Sequence, residues 1–415
     1  MKLPRPYPPD GDAVIRRRRL VAVAVVLAVV VAIVVVLSIG SGDPSPRFVP
    51  SGGAGIATVL HPAPPARAPR PRGGARTFKA APAAAAAARN LPLARQVSQL
   101  FLVTLDGSSP RSVSSLGGLD WGGVVLGSAS SLSASDGAGL AGGITASARA
   151  AGHVPPLIAA TQEGGPGTAF PALPPRSEPA IGASGKVALA RAQALLAGER
   201  LRGLGVNMTL APLADVDTPG GPLSGRLFSS DPVSVARFSV AAVAGYAAAG
   251  VISAPGHFPG TGSASADPDQ MTATVGGSLG ALRARDLIPF AAIAPLAPVI
   301  VMSSAAYAAF DGVTPASLLP EAIELLRRDY GFQGVAMSDD LDASLQATGE
   351  GPGAVAVQAL RAGDDLLYVS GPASEHLQAY DAVLAAAGKS STIRALVHDA
   401  LLRVLSLKAR YGLLG

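Results

Sequence analysis

Two adjacent carboxylates, Asp339 and Asp340, close the apolar stretch GFQGVAMSDDL at residues 331–341. Val335, Ala336 and Met337 read as a short strand buried on both faces, and glycines at 331 and 334 punctuate its start. A carboxylate delivered where such a strand emerges into a loop can attack an electrophilic carbon of a bound substrate. Asp after a strand is also a frequent helix cap, so attack and capping are both open to this pair. Other chemistries lack their residues. The chain has no cysteine, which excludes disulfides and thiol catalysis and fits an exported bacterial protein. It has no His-Glu-x-x-His and no spaced carboxylate loop with a central glycine, so no metal site is implied. GTGSAS at 260–265 lacks the lysine of a phosphate-binding loop, and no cofactor is implied either.

The elements that must position the acidic pair follow from the apolar pattern. Short apolar runs recur at 99–105, 122–126, 157–160, 206–212, 251–254, 298–303, 334–338 and 365–370. Ala-rich, helix-compatible stretches lie between most of them, at 185–204, 233–249, 279–294 and 317–330, and 392–411 reads as a closing amphipathic helix. Eight strands with helical crossovers predict an α/β fold, a closed (β/α)8 TIM-like barrel; a doubly wound open sheet is the second choice. In a barrel, the residues just after each run share one face: Gln162 and Glu163, Asp215, His257, Ser303 and Ser304, Asp339 and Asp340.

The first 92 residues are a different material. Arg16 to Arg19 precede an apolar stretch at 20–39 that is long enough to span the hydrocarbon core of a bilayer and longer than the apolar part of a cleavable signal. The expectation is a cytoplasmic basic tail at 1–19, an uncleaved single-pass signal anchor at 20–39, a Pro/Ala/Arg-rich linker at 40–92, and a barrel domain at 93–415 held outside the cell membrane. Residues 1–92 carry 13 Lys and Arg against 3 Asp, a net +10, which leaves −5 for 93–415. The basic balance thus belongs to the anchor and linker, and the folded part has no electrostatic footprint for nucleic acid.

Seven phrases in order between 96 and 341 carry a family resemblance that covers roughly 96–373: QVSQLFLVTLDG, TQEGG (161–165), APLADV (211–216), GRLFSSDP (225–232), GHFPGTG (256–262), RDLIPF (285–290) and GFQGVAMSDDL. Together they resemble the family 3 glycoside hydrolases, in the bacterial β-N-acetylglucosaminidase branch. The resemblance implies a retaining hydrolase acting on carbohydrate, with Asp339 as nucleophile and Asp340 as a cap or supporting residue. It also implies substrate contacts from Arg226, His257, Glu163 and Asp215. The family's proton donor is a histidine in an Asp-Ser-His phrase; here the phrase is Asp267-Pro268-Asp269, so Asp269 is the substitute acid/base and Asp267 its dyad partner. An exposed Asp is ionised near pH 4, so Asp269 fills the role only if burial or Asp267 raises its pKa. Further departures are Thr161 for an Asp, Gly256 for a Lys, Thr261 for a His, Pro166 for an Arg, and no histidine in VMSSAAY at 301–307. Two functions follow: a membrane-anchored β-N-acetylhexosaminidase-like enzyme on cell-wall glycans, or an impaired barrel retained for glycan binding or as a scaffold. The remaining histidines, His61, His153, His376 and His398, are expected at the surface.

Overall fold

A computed structural model describes residues 78–414 apart from 106, 108, 128–130, 165–167 and 172. The predicted anchor at 20–39, most of the linker, His61 and Pro166 lie outside the described residues. Among the described residues no helix is long and apolar enough to cross a membrane.

The eight apolar runs become eight parallel strands: β1 (Phe101–Leu105), β2 (Gly123–Leu126), β3 (Leu157–Ala160), β4 (Met208–Thr209), β5 (Ile252–Ser253), β7 (Val299–Val301), β9 (Val335–Asp340) and β10 (Leu366–Val369). Their order in the sheet is β5-β4-β3-β2-β1-β10-β9-β7. All five residues of β1 are buried, as are all four of β2, β3 and β10, which is the continuous apolar signature of a sheet covered on both faces. The two ends meet beyond β5. Val301 N–H donates to Pro255 O (3.0 Å), Phe258 N–H to Val301 O (2.8 Å) and Ser303 N–H to Phe258 O (2.8 Å). The closing strand is therefore GHF at 256–258, and the architecture is a TIM-like (β/α)8 barrel.

Helices cover the barrel, and side-chain caps start two of the longest. Asp231 accepts from Ser234 N–H at the start of Pro232–Ala248, whose proline takes the first turn, and Ser390 accepts from Ile393 N–H at the start of Ser391–Arg410. The single helix expected over 279–294 is two, Leu279–Ala284 and Leu287–Ile293. The break falls at Arg285, whose guanidinium donates to Val216 O, Asp217 O and Thr218 Oγ1 in the loop after β4. The helix expected over 317–330 is also interrupted, with Pro320–Glu324 running into a wider π turn at Leu325–Asp329. Two further strands, β6 (Thr274–Val275) and β8 (Ala306–Tyr307), pair outside the barrel; at two residues each they leave no periodicity to read.

The linker reading stops too late in the chain. Pro82–Asn90 is a helix that buries Ala84 and Ala88, one turn apart, and Ala81 N–H donates to Ser406 Oγ (3.0 Å). Arg403 stacks over the Phe78 ring at 4.3 Å. Alanine has the highest helix propensity, and its small side chain lets this helix lie close against Ser391–Arg410. His376, expected at the surface, is buried edge-on against Trp121. Replacing Ala84 by Glu should cost about 1–3 kcal/mol, read as a lower melting temperature, while the same change at exposed Ala86 should leave it unmoved.

Candidate active site

The loops after the strands enclose a cavity of about 750 Å³. Thr161 and Glu163 enter it after β3, Gly256 and His257 from the closing seam, Asp267, Asp269 and Gln270 from the next loop, Asp339 and Asp340 from β9, and Tyr368 and Ser370 from β10. Arg226 also lines it. Of the site residues expected from sequence, Asp339, Asp269, Asp267, Arg226, His257 and Glu163 are thus brought together. Asp215 lies outside the lining.

Asp339 is placed by register. Val301 pairs with Met337 in the β7–β9 ladder, Asp339 N–H donates to Met302 O (3.1 Å), and Ser304 N–H lies 3.4 Å from Asp339 Oδ2. Asp340 caps Leu341–Thr348: its Oδ1 accepts from Asp342 N–H (3.1 Å) and from Ser370 N–H (3.2 Å). Burial pushes the Asp340 carboxyl up to about 7, against the lowering effect of Ser370.

Asp215 was expected to touch substrate and instead supports the seam from below. It is fully buried, and Oδ2 accepts from His257 N–H (3.0 Å) and faces His257 Nδ1 (2.9 Å), while Oδ1 accepts from Thr261 N–H (2.6 Å). Its acceptors are spent on protein. Burial disfavours a charged His257 ring, but Asp339, then Asp215, outweigh it and raise the imidazole to about 10, so an imidazolium faces the cavity. Thr261, at a position where the family has histidine, points into the protein, 2.8 Å from Ser303 Oγ and 3.3 Å from Tyr307 OH.

Arg226 and Glu163 form a forked pair: Nε donates to Oε2 (3.1 Å) and Nη2 to Oε1 (2.9 Å) and Oε2 (3.0 Å). The remaining nitrogen, Nη1, lies 3.9 Å from Asp267 Oδ2. Glu163, Asp267 and Asp269 hold the guanidinium charged against the penalty of burial.

Asp269 keeps surface exposed at the cavity mouth while its carboxyl is crowded by protein. That desolvation, then Asp339, push it up to about 7; His257 and Arg226 pull the other way, and Asp267 adds a smaller upward push. An aspartic acid on this loop is thereby poised to give and take a proton near neutrality. Among the described residues no group of His, Cys, Asp and Glu is arranged to hold a metal ion.

The family model described as "Glycosyl hydrolase family 3 N terminal domain" matches residues 93–407. The chain belongs to glycosyl hydrolase family 3. It is 35% identical over 241 residues to a β-hexosaminidase of Stenotrophomonas maltophilia (strain R551-3), covering 55% of this chain and 71% of that one. A β-hexosaminidase of Xylella fastidiosa (strain M23) is 35% identical over 267 residues, 61% of this chain and 77% of that one. Among solved structures, a family 3 β-N-acetylglucosaminidase from Paenibacillus sp. str. FPU-7 superposes with TM-score 0.72 at 32% identity, covering 78% of this chain. The match spans 63% of the Paenibacillus chain. A β-N-acetylhexosaminidase from Beutenbergia cavernae DSM 12333 gives 0.71 at 30% identity, covering 77% of this chain and 99% of that one. Within family 3 the domain is β-hexosaminidase-like.

Sequence reasoning missed three groups around the family 3 cavity. Tyr368 and Ser370 end the eighth apolar run, so the rule that found Asp339 would have found them had it been carried one strand further. Glu178 carried no signal, since it sits in the first turn of an ordinary helix. It is buried, its Oε1 accepts from Leu213 N–H (3.0 Å), and burial followed by Glu163 raises its carboxyl well above the usual range. It is a buried carboxyl that acts electrostatically on the Arg226–Glu163 pair without lining the cavity.

The support of His257 by Asp215 can be measured. Asp215→Asn removes a negative charge that raises the imidazole, so the His257 pKa, followed by NMR titration, should fall from about 10 by roughly one unit or more. An unmoved titration would mean that Asp339 alone sustains the charge.

Proposed function

We propose that the domain is a retaining β-N-acetylhexosaminidase-like hydrolase with Asp339 as nucleophile and Asp269 as acid/base. The observation that carries this reading is that Asp339, at the end of β9, and Asp269, on the loop after the seam, line one cavity, where burial and Asp339 push the Asp269 carboxyl up to about 7. In the first step an Asp339 oxygen forms a bond to the anomeric carbon as the glycosidic bond breaks, and the Asp269 proton passes to the departing oxygen. In the second step ionised Asp269 takes a proton from water, the water oxygen attacks the anomeric carbon, and the Asp339 ester is released. The β-hexosaminidase relatives support an N-acetylhexosaminide as substrate.

The sign of the pH dependence follows from the acid. Asp269 donates only while protonated, so kcat/KM for a substrate with a poor leaving group should fall as pH rises through about 7. Asp269→Asn should lose about 10²- to 10⁴-fold on such a substrate. It should keep bond cleavage on a 2,4-dinitrophenyl N-acetylglucosaminide, whose leaving group needs no proton. Asp339→Asn should abolish both, along with covalent labelling by a 2-fluoro sugar. Equal loss on both substrates in Asp269→Asn would remove it as the acid, and absence of label and turnover in the folded wild type would assign the barrel to glycan binding.

The proposal extends to location. The apolar stretch 20–39 behind Arg16 to Arg19 supports a single-pass anchor that holds the barrel outside the cell membrane, where cell-wall glycans are the available carbohydrate. The full chain should then fractionate with membranes and be cleaved by protease added to cells stripped of wall but otherwise intact. Recovery in the soluble fraction would overturn the anchor.

A further inference from the structure

The loop that carries Asp269 is fixed at both ends. Thr261 is tied to Asp215 and Ser303, and at the far end Ser265 N–H donates to Thr274 O (2.9 Å) and Ala306 N–H to Ala273 O (2.9 Å). Between these anchors the hydrogen bonds turn inward on Asp267. Its Oδ1 accepts from Asp269 N–H (3.2 Å), its Oδ2 faces Gln270 Nε2 (3.3 Å), and its carbonyl accepts from Gln270 and Met271 N–H. Met271 is 57% exposed. The place of Asp267 therefore fixes the place of Asp269, and what reaches Asp267 from the loop after β4 is Arg226 Nη1, at 3.9 Å.

Arg226 is well set for that task and poorly set to grip a sugar. Nε and Nη2 already make three bonds to Glu163, which is itself almost fully buried. An exposed ion pair at this distance would contribute little alone, but a guanidinium anchored by a fork to a buried carboxylate has lost its rotamer freedom beforehand.

We propose that Glu163 and Arg226 are positioning residues: clamped to each other, they hold Asp267, and through it the Asp269 carboxyl, in place over the cavity. This rests on the reading of Asp269 as acid/base. Asp339, His257, Asp267 and Arg226 are the charged groups that act on Asp269, so Arg226 and Asp267 also set its proton affinity, with opposite signs.

Kinetics on a poor-leaving-group N-acetylglucosaminide, with hydrogen exchange of amides 267–271, tests the clamp. Arg226→Met removes a cation that lowers the Asp269 pKa, so the basic limb of kcat/KM should move to higher pH, on the order of half a unit or more. Asp267→Asn removes an anion that raises it, so the limb should move down. Both should accelerate exchange in 267–271 and lower kcat with KM little changed. Arg226→Lys keeps the charge without the fork, so its limb should stay while exchange quickens. A purely structural role would leave the limb unmoved in all three. A raised KM for Arg226→Met, with an unmoved limb and unchanged exchange, would make Arg226 a substrate-binding residue and overturn the proposal. Should Arg226→Met fail to fold, Asp267→Asn, on the loop and not in the barrel, carries the same test. If Asp269→Asn shows no dependence on the leaving group, the acid assignment fails by itself, and exchange in 267–271 still decides the clamp.

Discussion

A barrel of parallel strands has to close, and here closure runs through the residues that bear the chemistry. β5 is two residues long, and the ring is completed beyond it by the backbone of Pro255 and Phe258 bonding to β7. His257 sits inside that seam. The buried Asp215 carboxylate receives the His257 N–H, faces the ring, and receives the Thr261 N–H, so one charge serves both closure and the cavity wall. A buried carboxylate without partners would cost several kcal/mol, and three contacts to the seam offset that cost. The seam and the position of the imidazolium are therefore not separable properties.

The same coupling of burial to charge explains how a loop aspartate can stand at a position where the family carries histidine. Histidine titrates near neutrality without assistance, whereas aspartate must be shifted upward by about three units. Crowding at the cavity mouth and the neighbouring Asp339 supply the shift, with His257 and Arg226 limiting it. Asp340 reaches a similar value by a different route, chiefly burial at the end of β9. Two carboxyls of alike proton affinity thus flank Asp339. One is spent as a helix cap, and the other lies on a loop at the cavity wall.

The departures from the family pattern also have physical readings. Thr261 faces inward and ties its loop to Ser303 and Tyr307, a tight contact that a larger imidazole would not fit without rearrangement. Arg226, which matches the family phrase, has given three hydrogen bonds to Glu163, so its character is that of a strut between two loops.

Apolar periodicity alone specifies the barrel and points to most of the expected residues that line its cavity. Eight apolar runs, each too short for a helix and spaced by Ala-rich stretches, leave little choice of fold, and the polar residue just past a strand must emerge on one face; Asp339, His257 and Glu163 follow from that periodicity. Where the signal is short or absent, the reading failed: β6 and β8 are two residues each, the helix at 82–90 looked like linker because polyalanine fits both, and the break at Arg285 depends on bonds to a loop some seventy residues earlier. Which carboxyls are pushed toward neutrality depends on the folded arrangement. Proton affinity depends on desolvation and on charges a few ångströms away, and residues 163, 226, 267, 269 and 339 come from four separate stretches of the chain to line one cavity. That is why Asp215 is a buried support and not a wall of the cavity, and why the Asp269 carboxyl is pushed far above the usual range of its residue type.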